Sequence, residues 1–224
     1  MATFSTKAIV LRRTNYGEAD RILNLLTPDR GKISGIAKGV RRGKSQLAGG
    51  LELFAVSDVT MVEGRTDLHI VTAAQIEKFY GNILHDYDRL QLGYECIKEI
   101  NRVVEMTAEP EFFELLKGSF EYLDDLEINL PLIEIWFRLQ LAILMGRAVD
   151  LTLDIKGKKL KSDMNYDFNP VDMAFIEKPG SQFTAEHIKV LRLLQIKNPK
   201  LVNQVGGIGQ LLPECLWLAR AITH

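Results

Sequence analysis

One stretch, GKISGIAKGVRRGKSQLAGG (31–50), concentrates side chains suited to ionic chemistry. Lys32, Lys38, Arg41, Arg42 and Lys44 stand in it without a single acid, interleaved with six of the chain's 17 glycines. Closely set cations with no counter-charge attract phosphate-rich polyanions through charge alone. Arg12, Arg13, Arg21 and Arg30 extend the set. Residues 7–50 hold ten basic and three acidic side chains, net +7, in a chain whose formal net charge is −1. Single-strand binders usually add aromatic side chains for base stacking, and the local supply is thin: Phe4, Tyr16 and Phe54. The pattern points to contacts with a phosphate backbone and little base specificity.

Other chemistry finds less support. Glu18 and Asp20 form a carboxylate pair in YGEAD (16–20), whereas a metal-dependent nuclease needs more acids converging on one point. The histidines, His69, His85, His187 and His224, show no metal-ligand spacing. Cys96 and Cys215 each sit among apolar residues at helical spacing and read as buried free thiols, with no disulfide framework and no structural zinc. QVGGIGQ (204–210) lacks the strand and spacing of a phosphate loop and reads as a hinge. No catalytic residues, cofactor or metal are expected. A nuclease built on Glu18 and Asp20, and a protein-only adaptor that takes acidic polypeptides on its barrel, remain open as alternatives.

These residues are positioned by short strands. KAIVLRR (7–13), RILNLLT (21–27), KISGIAK (32–38), LELFAVSDVTMV (51–62) and LHIVTAAQI (68–76) are rich in β-branched residues and separated by turn signals such as TPDRG (27–31) and EGRTD (63–67). Five strands match an OB-type barrel, and an SH3-like barrel gives a similar string. Gly35 and Ala37, small residues on one face of the third strand, fit either a tight barrel bend or the close approach of another backbone. Beyond residue 80 the period changes to that of amphipathic helices, over 86–105, 110–126, 131–146, 183–195 and 211–223. The fold class expected is α+β: a barrel domain over 1–80 and a helical domain over 81–224, interrupted at about 149–180 by a polar, hairpin-like insertion. Residues 1–80 carry 12 basic and 8 acidic side chains, net +4, and 81–224 carry net −5, which suggests two modules with different partners.

The run from 8 to 54 resembles the N-terminal domain of the RecO recombination and repair family. The resemblance is carried in order by YGEAD, by LLT ending a strand, by GKISGIAKGVRR with Ser45 and Leu47 after it, and by LELF; GRTDLHIV (64–71) continues it. It implies an OB fold, binding of single- and double-stranded DNA, annealing of complementary strands, and help in loading RecA onto strands coated by single-stranded DNA-binding protein (SSB). The implied partners are RecR and the acidic C-terminal tail of SSB. Such a tail needs an apolar slot with a cation at its lip, for which Phe112, Phe113 and Leu116 with Lys117 and Arg138 are the candidates. Many members of the family carry a four-cysteine zinc motif where this chain has its insertion. No cysteine occurs there, and Asp150, Asp154, Asp163 and Asp167 read as solvated carboxylates. The apolar run at 8–11 is too short for a signal peptide and no stretch approaches a membrane span. The expectation is a cytoplasmic, nucleoid-associated bacterial protein without enzymatic activity.

Overall fold

The structure, a computed structural model, describes residues 2–104 and 109–223. Glu105, the last residue of the expected 86–105 helix, and His224 lie outside the described residues. Two compact units divide at Asp124/Asp125.

The first unit is built on β1 (Thr3–Tyr16), β2 (Asp20–Thr27), β3 (Gly31–Ala37), β4 (Ala55–Val62) and β5 (Leu68–Phe79), closed into a barrel in the order β1-β2-β3-β5-β4. Neighbours are antiparallel except β3 and β5, whose parallel pair Ser34↔Leu68 to Ile36↔Ile70 completes the circuit. This is the OB-type alternative of the two barrels. β1 is twice as long as its apolar run suggests because it serves two partners. Thr3–Ile9 pairs with β4 and Ile9–Tyr16 with β2, with an irregularity between Val10 and Arg12 where the strand turns the corner. The expected strand over 51–62 starts only at Ala55. Residues 48–50 form a 3₁₀ turn, and Gly50 lies so close to β5 that a Cβ there would sit 2.2 Å from the Ala74 carbonyl oxygen. Ala8, Val10, Leu23, Leu25, Ile33, Val59, Met61 and Val71 fill the barrel. Gly35 faces this interior: a Cβ on it would meet Met61 Cε at 2.4 Å and Val71 Cγ2 at 3.1 Å, so its smallness serves barrel closure.

Residue 80 ends the strands but not the compact unit. Helices α1 (Tyr87–Val103) and α2 (Pro110–Asp124) belong with the barrel. Phe54 provides the reason. Its ring is buried edge-on to Tyr94 at 5.2 Å and Phe120 at 5.3 Å, and Gly93 lets α1 approach that ring. Residues 81–124 hold four basic and ten acidic side chains, net −6. The acidic excess of the chain therefore belongs to the same unit as the basic barrel rather than to a separate module.

The second unit is organised around α3 (Leu130–Leu144), apolar on nearly every side, with α4 (Ala185–Ile196), α5 (Pro199–Val202) and α6 (Leu212–Thr223). The expected insertion contains a hairpin of β6 (Tyr166–Asn169) and β7 (Ala174–Glu177). Its core is aromatic: Phe175 packs edge-on against Tyr166, Phe168 and Phe183 at centroid distances of 6.3, 5.3 and 5.6 Å. Asp150 and Asp154 hold turns by accepting backbone N–H bonds, and Asp167 pairs with Lys178.

Candidate nucleic-acid interface

The nine cations singled out in the barrel separate into two groups. β2 runs from Asp20 to Thr27, so its two ends are roughly 23 Å apart. At the Asp20 end, the turn Gly17–Ala19 meets the start of the β3–β4 connection. Arg41 N donates to Ala19 O at 2.9 Å and Gly39 N donates to Asp20 Oδ1 at 2.7 Å. Arg41 Nη1 also reaches Gly17 O at 3.4 Å, and Arg21 Nε reaches Asn15 Oδ1 at 3.2 Å. The turn and the connection bring Arg21, Lys38, Arg41, Arg42 and Lys44 to this end of the barrel, while Arg12 pairs with Asn24 midway along β2. Among the described residues none of the six has a carboxylate within 4.0 Å, and all but the half-buried Arg21 are exposed.

The other three are engaged elsewhere. Arg13 is half-buried and donates to Glu52 at 2.9 Å. Arg30, in the β2–β3 turn at the far end, stacks over the Phe4 ring at 3.8 Å and lies near Glu63 and Asp29. Lys32 turns toward α1 and donates to Asn101 O at 2.9 Å. The stretch 31–44 thus does not present all its cations on one face: Lys32 secures a helix, while Lys38, Arg41, Arg42 and Lys44 have no ion pair within 4.0 Å among the described residues.

Register adds a feature that the charge pattern does not reveal. Thr14↔Ile22, Ile22↔Ile36 and Ile36↔Ile70 are cross-strand partners, so these residues form one row over β1, β2, β3 and β5. Leu23 and Ala37, their sequence neighbours, belong to the barrel interior, so the row lies on the outer face. The three isoleucines are half-buried. Tyr16, two positions beyond Thr14, is 56% exposed, and Arg12 and Lys38 stand two positions along on the same side. An apolar row with an exposed ring at its end and cations beside it can take the flat faces of bases while the phosphates lie on the cations. The signal was present in the sequence: RILNLL and KISGIA are apolar at both even and odd positions, more than a one-sided barrel wall requires.

A profile described as "Recombination protein O N terminal" matches residues 1–80. Over 200 residues the chain is 35% identical to the DNA repair protein RecO of Dehalococcoides mccartyi strain ATCC BAA-2266, covering 86% of this chain and 78% of that protein. The RecO of strain CBDB1 is 34% identical over 203 residues with the same coverage, and that of Rubrobacter xylanophilus is 36% identical over 148 residues, 66% and 59% of the two chains. The chain belongs to the RecO family of DNA repair proteins. The RecO resemblance thus extends well past the barrel into the helical part.

The remaining candidates are divided between the two units. Phe112, Phe113 and Leu116 are buried core of the first unit. Phe113 and Lys117 do line a cleft of about 320 Å³ with Lys7, Lys78 and Tyr80, but Glu77, Glu114 and Glu121 line it too and cancel its charge. Lys117 pairs with Glu114. Arg138 belongs to the second unit, where it is 5% exposed and donates to Glu134 at 2.8 Å and Thr223 at 2.9 Å. Burial pushes the Glu134 carboxyl up, but hydrogen bonds from Arg220 and Arg138 outweigh it and hold the group below the usual carboxylate range. Asp20, half of the proposed nuclease pair, is occupied by the Gly39 N–H. Both cysteines are buried, and desolvation pushes the Cys215 thiol up to about 12. No helix among the described residues is long and apolar enough to cross a membrane.

Proposed function

We propose that the chain binds single- and double-stranded DNA through the Asp20 end and outer face of its barrel and anneals complementary strands. It further assists RecA loading on SSB-coated DNA, with RecR and the acidic SSB tail as partners. The observation that carries the DNA reading is the group of six cations with no carboxylate within 4.0 Å among the described residues, beside a half-buried row of Ile22, Ile36 and Ile70 ending in exposed Tyr16. Cations with no ion pair attract the phosphates whatever the sequence, and the exposed Tyr16 ring can stack on any base. Annealing follows from screening: two polyanions approach each other once their phosphates are neutralised. The RecA, RecR and SSB roles rest on family membership.

The test is charge reversal. Lys38, Arg41 and Arg42 replaced together by Glu should abolish measurable annealing of complementary oligonucleotides and reduce single-strand affinity at least ~100-fold. The circular dichroism spectrum should stay that of the parent. A reversed triple variant that anneals at the parental rate would contradict the proposal. Cleavage of DNA by the parent in Mg²⁺ or Mn²⁺, lost in Glu18→Gln, would favour the nuclease reading instead.

A further inference from the structure

The second unit carries a cationic feature of its own. The segment DIKGKKLK (154–161) places Lys156, Lys158, Lys159 and Lys161 in six residues, with Asp154 the one acid within it. That acid faces inward. It is 8% exposed, and its Oδ1 accepts the N–H groups of Lys156 at 2.9 Å and Lys158 at 2.8 Å. Asp154 N donates to Lys158 O at 2.8 Å, and Gly157 provides the left-handed residue, φ 72°, that closes the turn. The turn is anchored to the aromatic core. Ile155 N donates to Phe175 O at 2.8 Å, and Lys161 N donates to the hydroxyl of buried Tyr166 at 2.8 Å.

All four lysine side chains are exposed, and among the described residues none has a carboxylate within 4.0 Å. Glu186 pairs with Lys189 and Asp167 with Lys178, while exposed Asp163 and Glu177 have no cation within 4.0 Å among the described residues. A cleft of about 100 Å³ adjoins the turn, lined by Lys161, Ser162, Lys189 and Arg192 among others. A fixed turn that holds four like charges together costs repulsion in the free protein, which a polyanion relieves. Its fixed backbone also lowers the ordering cost of binding.

We infer that this lysine turn is a second site for a nucleic-acid phosphate backbone, distinct from the barrel, so that one chain holds two strands. The inference rests on the DNA reading of the barrel. Four cations dispersed along a turn match charges repeated along a backbone, and the adjoining cleft has room for a phosphate group.

The test replaces Lys156, Lys158, Lys159 and Lys161 by alanine in the full chain and titrates with short single-stranded oligonucleotides. The parent should bind two strands per chain and the variant one, with the affinity of the remaining strand within threefold of the parent's tighter site. Annealing should slow at least fivefold, and the melting temperature should hold or rise. The complementary variant, Arg41, Arg42 and Lys44 to Ala, should keep the turn's strand and bind the barrel's about 50-fold more weakly. One strand per parental chain, or unchanged stoichiometry and annealing in the lysine variant, would overturn the inference while leaving the barrel reading intact. If the barrel variant lost nothing and the lysine variant lost all DNA binding, the barrel reading would fail and the second site would stand. Loss of binding to an acidic peptide, with oligonucleotide binding unchanged, would reassign the turn to a protein partner and overturn the inference.

Discussion

The two ends of the barrel carry the same residue types in opposite circumstances. At the Asp20 end, among the described residues, Lys38, Arg41, Arg42 and Lys44 have no carboxylate within 4.0 Å. At the far end, Arg30 is stacked on Phe4 and set between Asp29 and Glu63, and Lys32 is tied to the end of α1. The second unit shows the extreme of this second condition: Arg138 and Arg220 converge on the buried carboxylate of Glu134. Removing an engaged charge should damage the fold and leave DNA binding alone. Removing a free one should do the reverse, because an exposed unpaired charge contributes little to stability.

The largest effect of this kind should come from Glu134→Gln. It leaves two guanidinium groups facing a neutral amide and should destabilise the protein by about 3 kcal/mol at neutral pH. Because the folded-state carboxyl is held below its unfolded value near 4.5, its contribution is fully present above that pH and fades as pH falls through the lower folded value. The gap between parent and variant in urea unfolding should therefore narrow below about pH 4; a gap that widens there would contradict the assignment. Lys32→Ala comes next. Losing one charged donor to Asn101 O should cost about 1.5 kcal/mol, while single-strand affinity changes less than twofold. Arg42→Ala should be smallest in stability, within about 0.5 kcal/mol. Yet it should weaken single-strand binding about fourfold at 0.15 M salt, the loss expected for one phosphate contact. If Lys32→Ala and Arg42→Ala exchanged these outcomes, the division between engaged and free cations would be wrong.

Much of this was legible in the residues, for reasons that also explain the rest. Strand existence followed from local apolar alternation, and the first, second, third and fifth strands lie where that pattern is strong. The fourth begins late because Gly50 and Phe54 obey tertiary demands, a close approach to Ala74 and a left-handed backbone at φ 55°. Cation spacing singled out the stretch 31–44 as a candidate. It did not separate Lys32 from Arg42, because the partner that engages Lys32 lies 69 positions away on α1. The isoleucine row was hidden for the same reason: Ile22, Ile36 and Ile70 become neighbours only through strand register. The burial of Arg138 was hidden likewise, because its partners, Glu134 and Thr223, include one 85 positions on.

The most direct measurement is the salt dependence of single-strand binding for two triple variants. One replaces Arg41, Arg42 and Lys44 by alanine; the other replaces Arg13, Arg30 and Lys32. For the first, the slope of log affinity against log salt should become shallower by about 2, roughly 0.7 for each lost phosphate contact. For the second, the slope should stay at the parental value while the unfolding midpoint falls. Equal changes of slope in the two variants, or no change in the first, would contradict the claim that DNA is bound by the free cations at the Asp20 end of the barrel.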